Sequence, residues 1–518
     1  MTGSAYLIEC AGKKFLVDCG IHQGKNEKDN SIPFPIPPSA IDAVLLTHAH
    51  MDHSGRVPLL VKNGFNGKVW VTTPTRELVP ILWHDSANLM REDAEWETRK
   101  NSRKGLGAAA PLYDDNDVDN AIKKLSSISY DENIDVLPGI SVRYRDSGHI
   151  IGSAMLEVTL KEGDKTVKLA FSGDMGPMRT VMERHPATLN SADYVIMEST
   201  YGNRLHKSNE DTRREFQDVL RKAISSGGKV LIPSFAVDRA QRILYEICLM
   251  QDEDLLPKNI PIYFDSPMGA KTTAIYKAHK DFLSTEIQNY ITHDKEPFSP
   301  AGLEVVPSAE ESQKINSVKC AIVIAGSGMC NGGRIVHHFK HGLYDPKNHV
   351  IFVGYQAQGT LGRRLVDGQK TVRVAGEEVK VQAEMHTING FSAHGDQNDL
   401  VNWASNFETN PTYVIVHGEP ESSAVLSEKL KSAGKKTFIP KRGDVLELTS
   451  GGVQSVIEQH RAAEQKLENE AKTALRDIAK MAALIEESFA ENDNLESLMP
   501  LILSTRTLLE TAKIKAGK

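Results

Sequence analysis

Thr47-His48-Ala49-His50-Met51-Asp52-His53-Ser54-Gly55 packs three histidines and an aspartate into six residues, directly after the apolar run Ala43-Val44-Leu45-Leu46. The apolar run reads as a buried strand, so the polar cluster sits where a strand leaves its sheet. Side chains two apart share a face of extended backbone, which lets His48 and His50 converge on one metal ion. Asp52 and His53 fall where the chain turns into a helix expected at about 55–63, and they aim from a different direction. One loop can therefore feed two adjacent metals with nitrogen and oxygen donors, the set zinc prefers. Solvated histidines on a polar loop are the plain alternative, and this density of ionisable groups behind a core strand argues against it.

Outward from this loop, apolar strands repeatedly deliver a polar residue at their C-terminal ends, where α/β sheets place their chemistry. Lys14 to Val17 ends in Asp18, Val167 to Phe171 leads to Asp174, Tyr194 to Met197 to Glu198, and Tyr413 to Val416 to His417. His149 lies in the small-residue loop 146–153, and His394 in Phe391-Ser392-Ala393-His394-Gly395-Asp396, ahead of a helix. Counting donors assigns His48, His50 and His149 to one metal and Asp52, His53 and His417 to another, with Asp174 able to bridge them. Two zinc ions about 3.5–4 Å apart would clamp a phosphoryl or carbonyl group and lower the pKa of a shared water to about 7. Asp18 is cast as an orienting carboxylate that accepts from a ligand histidine. His394 paired with Glu198 suits a general acid, a histidine held protonated by a carboxylate. A helix-capping His394 and a salt-bridging Glu198 remain the other reading at this level.

The texture changes between about 205 and 386. Helical runs alternate with the strands Val230 to Ile232, Ile262 to Phe264, Ala321 to Ile324 and Val350 to Val353, which predicts a second α/β unit with a parallel sheet. It carries the glycine-rich Gly326-Ser327-Gly328-Met329-Cys330-Asn331-Gly332-Gly333-Arg334. Backbone amides in such a turn can form an anion nest. Metal-type residues return at His394 and His417, so the middle unit reads as an insertion into the first. The expected boundaries are 1–204 and 387–454 for the two parts of the first domain, 205–386 for the insertion, and 455–518 for a helical extension. In that extension Leu467, Ala471, Ala474, Ile478, Met481 and Ile485 form a heptad-like seam, and Pro500 interrupts any single long helix. The seam either packs back on the body or joins two copies into a homodimer.

The 518 residues are 40% hydrophobic and 25% charged, ordinary for a globular chain with two or more domains. No run of about eighteen apolar residues occurs, so no membrane span is expected. The start lacks a basic-then-apolar leader, and five scattered cysteines form no framework, which points to the cytoplasm. A net charge of -7 gives no global nucleic-acid footprint. A polyanion would be held by local basic groups such as 99–104, Arg204, Lys207, Arg213 and Arg214, or Arg363 and Arg364.

Thr47 to His53, His149, Asp174, Glu198, His394 and His417 together resemble the ordered motifs of the metallo-β-lactamase fold in its β-CASP branch. The resemblance covers roughly 1–448 and is nearest to the cleavage-and-polyadenylation-factor-like RNA nucleases, including bacterial members. It implies a four-layer αββα domain with an inserted α/β unit and two Zn²⁺ per chain. Its implied machinery comprises Asp52, Asp18 and Glu198, with His394 as general acid and His417 as the last motif, a histidine in members that act on RNA. It implies cleavage of single-stranded RNA in the cleft between the two domains, leaving 5′-phosphate and 3′-hydroxyl ends. It further assigns substrate contacts to Ser234 and Arg239, to Ser266, and to Ser327, Gly328, Gly332, Gly333 and Arg334. Relatives usually begin with one more strand before Thr2-Gly3-Ser4, so the expectation is that this strand is missing and the sheet edge there is in question. A di-zinc hydrolase of small esters or lactones is the alternative enzyme, because the core motif is shared across the fold. A non-catalytic RNA-binding scaffold is the alternative of another class.

Overall fold

The structure is a computed structural model that describes residues 3–449, 452–454 and 499. By packing, the chain divides into Met1–Pro440 and the part from Lys441 onward. The expected segment 387–454 straddles that division, and the heptad-like seam with Pro500 lies outside the described residues.

The first sheet has five strands in sequence order: β1 (Tyr6–Cys10), β2 (Lys13–Val17), β3 (Ala43–Leu45), β4 (Lys68–Thr72) and β5 (Leu125–Ile128). Ala11 and Gly12, both at positive φ (50° and 73°), join β1 to β2 in the tight turn that twisted hairpins favour. The remaining pairs are parallel. β3 is buried on both faces, as its unbroken apolar run requires. The ligand loop runs through a one-turn helix, α1 (Met51–Ser54), and α2 (Val57–Lys62) follows where one longer helix was expected. α3 (Thr73–Ser102) and α4 (Asp115–Ile122) complete the outer layer. Val57, Leu60, Leu78 and Trp83 pack there with Val44, Val69 and Val71, each such burial being worth roughly 1.5–3 kcal/mol. Trp83 also supports the loop: its Nε1 donates to Ser54 Oγ at 3.1 Å, and that hydroxyl donates to Ala49 O at 2.9 Å.

The second sheet begins with the meander β6 (Asn133–Leu137), β7 (Ile140–Asp146), β8 (Ala154–Glu162) and β9 (Lys165–Phe171), then β10 (Tyr194–Met197). It meets the first sheet through Ala154 N–H donating to Thr47 O at 2.8 Å and Tyr144 OH to Trp70 O at 2.9 Å.

After β10 comes a separate sheet of six parallel strands in the order β13-β12-β14-β11-β15-β18. These are β11 (Lys229–Pro233), β12 (Ile262–Asp265), β13 (Leu303–Val305), β14 (Ala321–Ala325), β15 (His349–Phe352) and, after the small hairpin β16 (Thr371–Val374) and β17 (Glu377–Lys380), β18 (Glu384–Thr387). The crossovers carry α5 (Asn209–Ser225), α6 (Arg239–Asp252), α7 (Pro267–Ala278), α8 (Thr285–Thr292), α9 (Ala309–Lys314), α10 (Arg334–Gly342) and α11 (Leu361–Val366). Ser208 caps α5 by accepting from Asp211 N–H, and Phe216 and Leu220 form its buried stripe.

The chain then returns. α12 (Gln397–Ala404) leads to β19 (Thr412–Ile415), which pairs with β10, and α13 (Pro420–Ser432) leads to β20 (Lys436–Phe438). The seven-stranded order is β20-β19-β10-β9-β8-β7-β6. Trp403, Leu400, Leu426 and Leu430 cover Val195, Met197 and Ile415, making the fourth layer of an αββα stack. Of the second unit, the described part includes the hairpin β21 (Glu447–Thr449) and β22 (Gly452–Gln454).

Candidate active site

Segments far apart in sequence meet where β2, β3, β9, β10 and β19 end. His50 Nδ1 lies 3.1 Å from both His48 Nε2 and His149 Nε2, and each of those two lies 3.6 Å from Asp174 Oδ2. The other oxygen, Asp174 Oδ1, lies 3.2 Å from His53 Nε2 and 3.5 Å from His417 Nε2; His417 Nε2 is 3.9 Å from Asp52 Oδ2. Two donor groups thus share one carboxylate, each facing a different oxygen: His48, His50, His149 with Asp174, and Asp52, His53 with His417.

These groups fit a pair of metal ions on their own geometry. His53 Nε2, His417 Nε2 and Asp174 Oδ1 are buried, converge on one point and make no hydrogen bond. Three orphaned polar atoms would cost several kcal/mol, at about 1–3 each, unless a cation satisfies them. Burial pushes His48 and His149 well below the usual imidazole range and His50 down to about 4, so their lone pairs are free. Burial alone would raise Asp174, but the rings of His417 and His53 reverse this and hold it well below the carboxylate range. Burial would lower His53, but the Asp174 and Asp18 carboxylates outweigh it and hold the ring well above the usual imidazole range. Nitrogen-rich sites with shared carboxylate are zinc-type chemistry.

Four of the candidate ligand histidines are held from behind. His53 Nδ1 donates to Asp18 Oδ2 at 2.7 Å, and the same carboxylate accepts from Thr47 N–H at 2.8 Å and Thr47 Oγ1 at 2.9 Å. His48 Nδ1 meets Thr47 Oγ1 at 3.0 Å, and His149 Nδ1 donates to Ala393 O at 2.9 Å. His417 Nδ1 meets Ser4 Oγ at 2.7 Å. Asp18 and His417 stand at positive φ (59° and 47°), a conformation that costs non-glycine residues energy and that these contacts sustain. Close backbone approach also needs glycine: a Cβ on Gly20 would lie 1.7 Å from Asp52 O.

His394 lies beside this centre. Its Nδ1 is 3.4 Å from Glu198 and 4.0 Å from Asp174 Oδ2, and its ring packs on His149 at 4.5 Å. Glu198 is itself fixed, accepting from Met175 N–H at 2.6 Å and Thr200 N–H at 3.3 Å. Burial acts to lower His394, but the Glu198 carboxylate outweighs it and raises the imidazole to about 9. Glu198 does pair with a cation, as the salt-bridge reading allowed, but His394 is not the cap: the α12 cap is Asp396, in a reciprocal capping box with Asp399. That box anchors the loop carrying His394.

The residues assigned to substrate gather at the C-terminal ends of β11, β12 and β14. Ser234 is buried there, with N–H donating to Ala325 O at 3.0 Å, and Ser266 Oγ accepts from Gly269 N–H at 3.1 Å as the cap of α7. Gly326 faces both residues. Ser327 Oγ donates to Gly332 O at 3.2 Å; Gly332 is open on its Cα side, and Gly333, at φ 71°, lies against Gly326 O. Gly328 abuts the ring of Phe235, and Arg239 lies 3.8 Å from Asp238. Arg334 is engaged differently: its guanidinium donates to Asp265 Oδ1 at 2.6 Å and Ser308 O at 2.6 Å, so it braces this sheet edge.

Sequence reasoning did not find three participants. Ser4, near the chain start, carries no pattern; its N–H donates to Asp52 O at 2.7 Å and its carbonyl accepts from Gly20 N–H at 2.8 Å, which set its hydroxyl against His417. His206 Nε2 donates to His394 O at 3.1 Å, and Tyr201 faces the His394 ring at 5.7 Å. His206 and Tyr201 lie close to the Glu198 motif, and this proximity was the one available signal.

Comparison with known proteins agrees with this geometry. Residues 1–234 match "Metallo-beta-lactamase superfamily", 240–365 match "Beta-Casp domain", and 378–440 match "Zn-dependent metallo-hydrolase RNA specificity domain". The chain is 40% identical over 445 residues to Ribonuclease TTHA0252 of Thermus thermophilus, covering 86% of this chain and 96% of that protein. It is 33% identical over 470 residues to Transcription termination factor FttA of Pyrococcus abyssi, covering 86% of this chain and 69% of that protein. The factor of the same name from Methanocaldococcus jannaschii is 32% identical over 460 residues, with 86% and 69% covered. With its ligand groups at the strand ends and its inserted parallel sheet, the chain belongs to the metallo-β-lactamase superfamily, in the β-CASP branch, and is a metal-dependent hydrolase.

Proposed function

We propose that the chain is a ribonuclease holding two Zn²⁺ that hydrolyses phosphodiester bonds of single-stranded RNA, leaving 5′-phosphate and 3′-hydroxyl ends. The observation that carries this reading is the pair of donor groups sharing Asp174 with His394 alongside. His48, His50 and His149 would hold one ion and Asp52, His53 and His417 the other, with Asp174 between. Bound there, the pair supplies Lewis acidity to a phosphoryl oxygen and makes water acidic near neutral pH. Asp18, Thr47, Ala393 and Ser4 keep the ligand nitrogens aimed and in the ligating tautomer. His394 turns Nδ1 to Glu198, so Nε2 is the ring atom that donates a proton to the departing 3′-oxygen.

RNA is favoured over a small ester by what surrounds this centre. Phe235 (46% exposed) and Tyr355 (42% exposed) offer aromatic faces, and Arg204 stacks on Tyr355 at 5.0 Å and on Tyr201 at 5.4 Å. Such platforms accept unpaired bases without regard to sequence. The related protein named a ribonuclease supports the same substrate class. The deciding experiment measures zinc content and cleavage of end-labelled single-stranded RNA by the parent and by His394→Ala. The variant is expected to keep its zinc and lose cleavage about 10²–10⁴-fold. Undiminished cleavage would remove His394 from the mechanism, and lactone hydrolysis without RNA cleavage would establish the small-ester reading instead.

A further inference from the structure

At the far end of the six-stranded sheet, away from the catalytic loops, His349 opens β15 and Glu384 opens the edge strand β18. The strands pair in parallel, with His349 opposite Glu384 and Ile351 opposite His386. Side chains two apart share a face, so the three groups meet on one side of the sheet. His349 Nδ1 lies 2.9 Å from His386 Nε2, with the rings within 14° of parallel. Glu384 places Oε2 3.8 Å from His349 Nδ1 and Oε1 3.8 Å from His386 Nε2. The two imidazole side chains are 4% and 11% exposed and the carboxylate 46%, so the cluster is closed behind and open in front.

This is the approach made by the catalytic histidines, whose ring nitrogens stand 3.1 Å apart. Two nitrogens on a tetrahedral zinc, with bonds of about 2.0–2.1 Å, stand roughly 3.3–3.4 Å apart. The rings therefore need to part by only a few tenths of an ångström. Burial lowers both imidazoles below their ordinary value, and the facing nitrogen that carries the shared proton gives it up to its other ring nitrogen or to solvent when an ion enters. Lys222 of α5 forms an ion pair with Glu384 Oε1, but its side chain is 60% exposed and free to swing away. We infer that His349, His386 and Glu384 form a further site for a divalent transition metal such as Zn²⁺, separate from the catalytic groups, which clips the edge strand β18 to β15. The pairing continues beyond β18, where Ile388 N–H donates to Phe352 O at 2.8 Å, and the chain then runs on to the loop of His394. The clip thus steadies the strand that delivers the proton donor.

A hydrogen bond between two neutral imidazoles would give the same contact without a metal, and metal binding separates the two. Protein already saturated at its tighter sites is titrated with Co²⁺, read by visible absorption and by native mass. One additional equivalent is expected in the parent. The double variant His349→Gln, His386→Gln should lose that equivalent and keep the others. Lys222→Ala, which removes the competing cation, should bind the additional ion about two- to fivefold more tightly, the worth of an exposed ion pair. A parent that takes no further equivalent, or a double variant that takes as many as the parent, overturns the inference. Should the double variant not fold, Lys222→Ala decides: tighter binding supports the site and unchanged affinity overturns it.

Discussion

Replacing Asp18 by asparagine tests how the ligand tautomers are set. Asp18 Oδ2 accepts from His53 Nδ1 at 2.7 Å and Thr47 Oγ1 at 2.9 Å, while Oδ1 accepts from Thr47 N–H at 2.8 Å. An amide turns the oxygen facing His53 into a donor, and flipping it only moves the clash to Thr47 N–H. His53 must then accept at Nδ1 and carry its proton on Nε2, the atom 3.2 Å from Asp174 Oδ1 and aimed at the metal position. Asparagine matches the volume and tolerates φ near 59°, so the fold is kept. Loss of such an orienting carboxylate costs about 10–100-fold in metal affinity, which is about 1.4–2.8 kcal/mol. The loss should fall most heavily on the Asp52, His53, His417 group, whose His53 loses its direct partner, while His149 stays on Ala393 and His48 is reached only through Thr47 Oγ1. Competition against a chromophoric zinc chelator resolves the two affinities. If both stay within about twofold of the parent, the tautomer argument is wrong.

Ser4→Ala removes the 2.7 Å contact to His417 Nδ1 and should weaken the same metal group by about tenfold in the same competition, with Tm little changed. Gly20→Ala puts a Cβ 1.7 Å from Asp52 O, so the loop must shift; loss of one metal equivalent is expected, and full metal content would refute it. Burial raises Asp146, next to the His149 loop, from 3.8 to about 7, against the hydrogen bond from Gly148 N–H. Ionising it costs more in the folded than in the unfolded chain, so its contribution to stability is present at pH below about 4 and is lost as pH rises towards 7. Asp146→Asn cannot ionise, so its Tm advantage over the parent should grow from pH 5 to pH 8, and a constant difference would refute the assignment.

The ligand loop and the order of the later motifs were legible because metal chemistry demands rare residue types at strand ends. The buried strands were legible too, since β3, β14 and the Val230–Ile232 stretch of β11 are continuous apolar runs. Short polar strands were not: β5 reads Leu-Ser-Ser-Ile and β17 Glu-Glu-Val-Lys, patterns that register and neighbours alone make into strands. Arg334 was expected to contact phosphate because a basic residue closes a glycine-rich turn, and its ion pair with Asp265 was not foreseen. Its partner Asp265 ends β12, the strand beside β14, so their pairing is a product of strand order. Ser4 shows the same limit, since backbone bonds to Asp52 and Gly20, far from it in sequence, bring it to His417.

Hydrolysis at phosphorus with departure of a 3′-oxygen is the step on which the proposed function turns, and isotope labelling reads it out. Metal-loaded protein is given single-stranded RNA in H₂¹⁸O, and the new ends are read by mass spectrometry. One ¹⁸O per cut on the 5′-phosphate of the downstream fragment, with an unlabelled 3′-hydroxyl upstream and no labelling by Asp174→Ala, is the predicted result. A 2′,3′-cyclic phosphate or labelled 3′-phosphate end, or cleavage undiminished in Asp174→Ala, would contradict it.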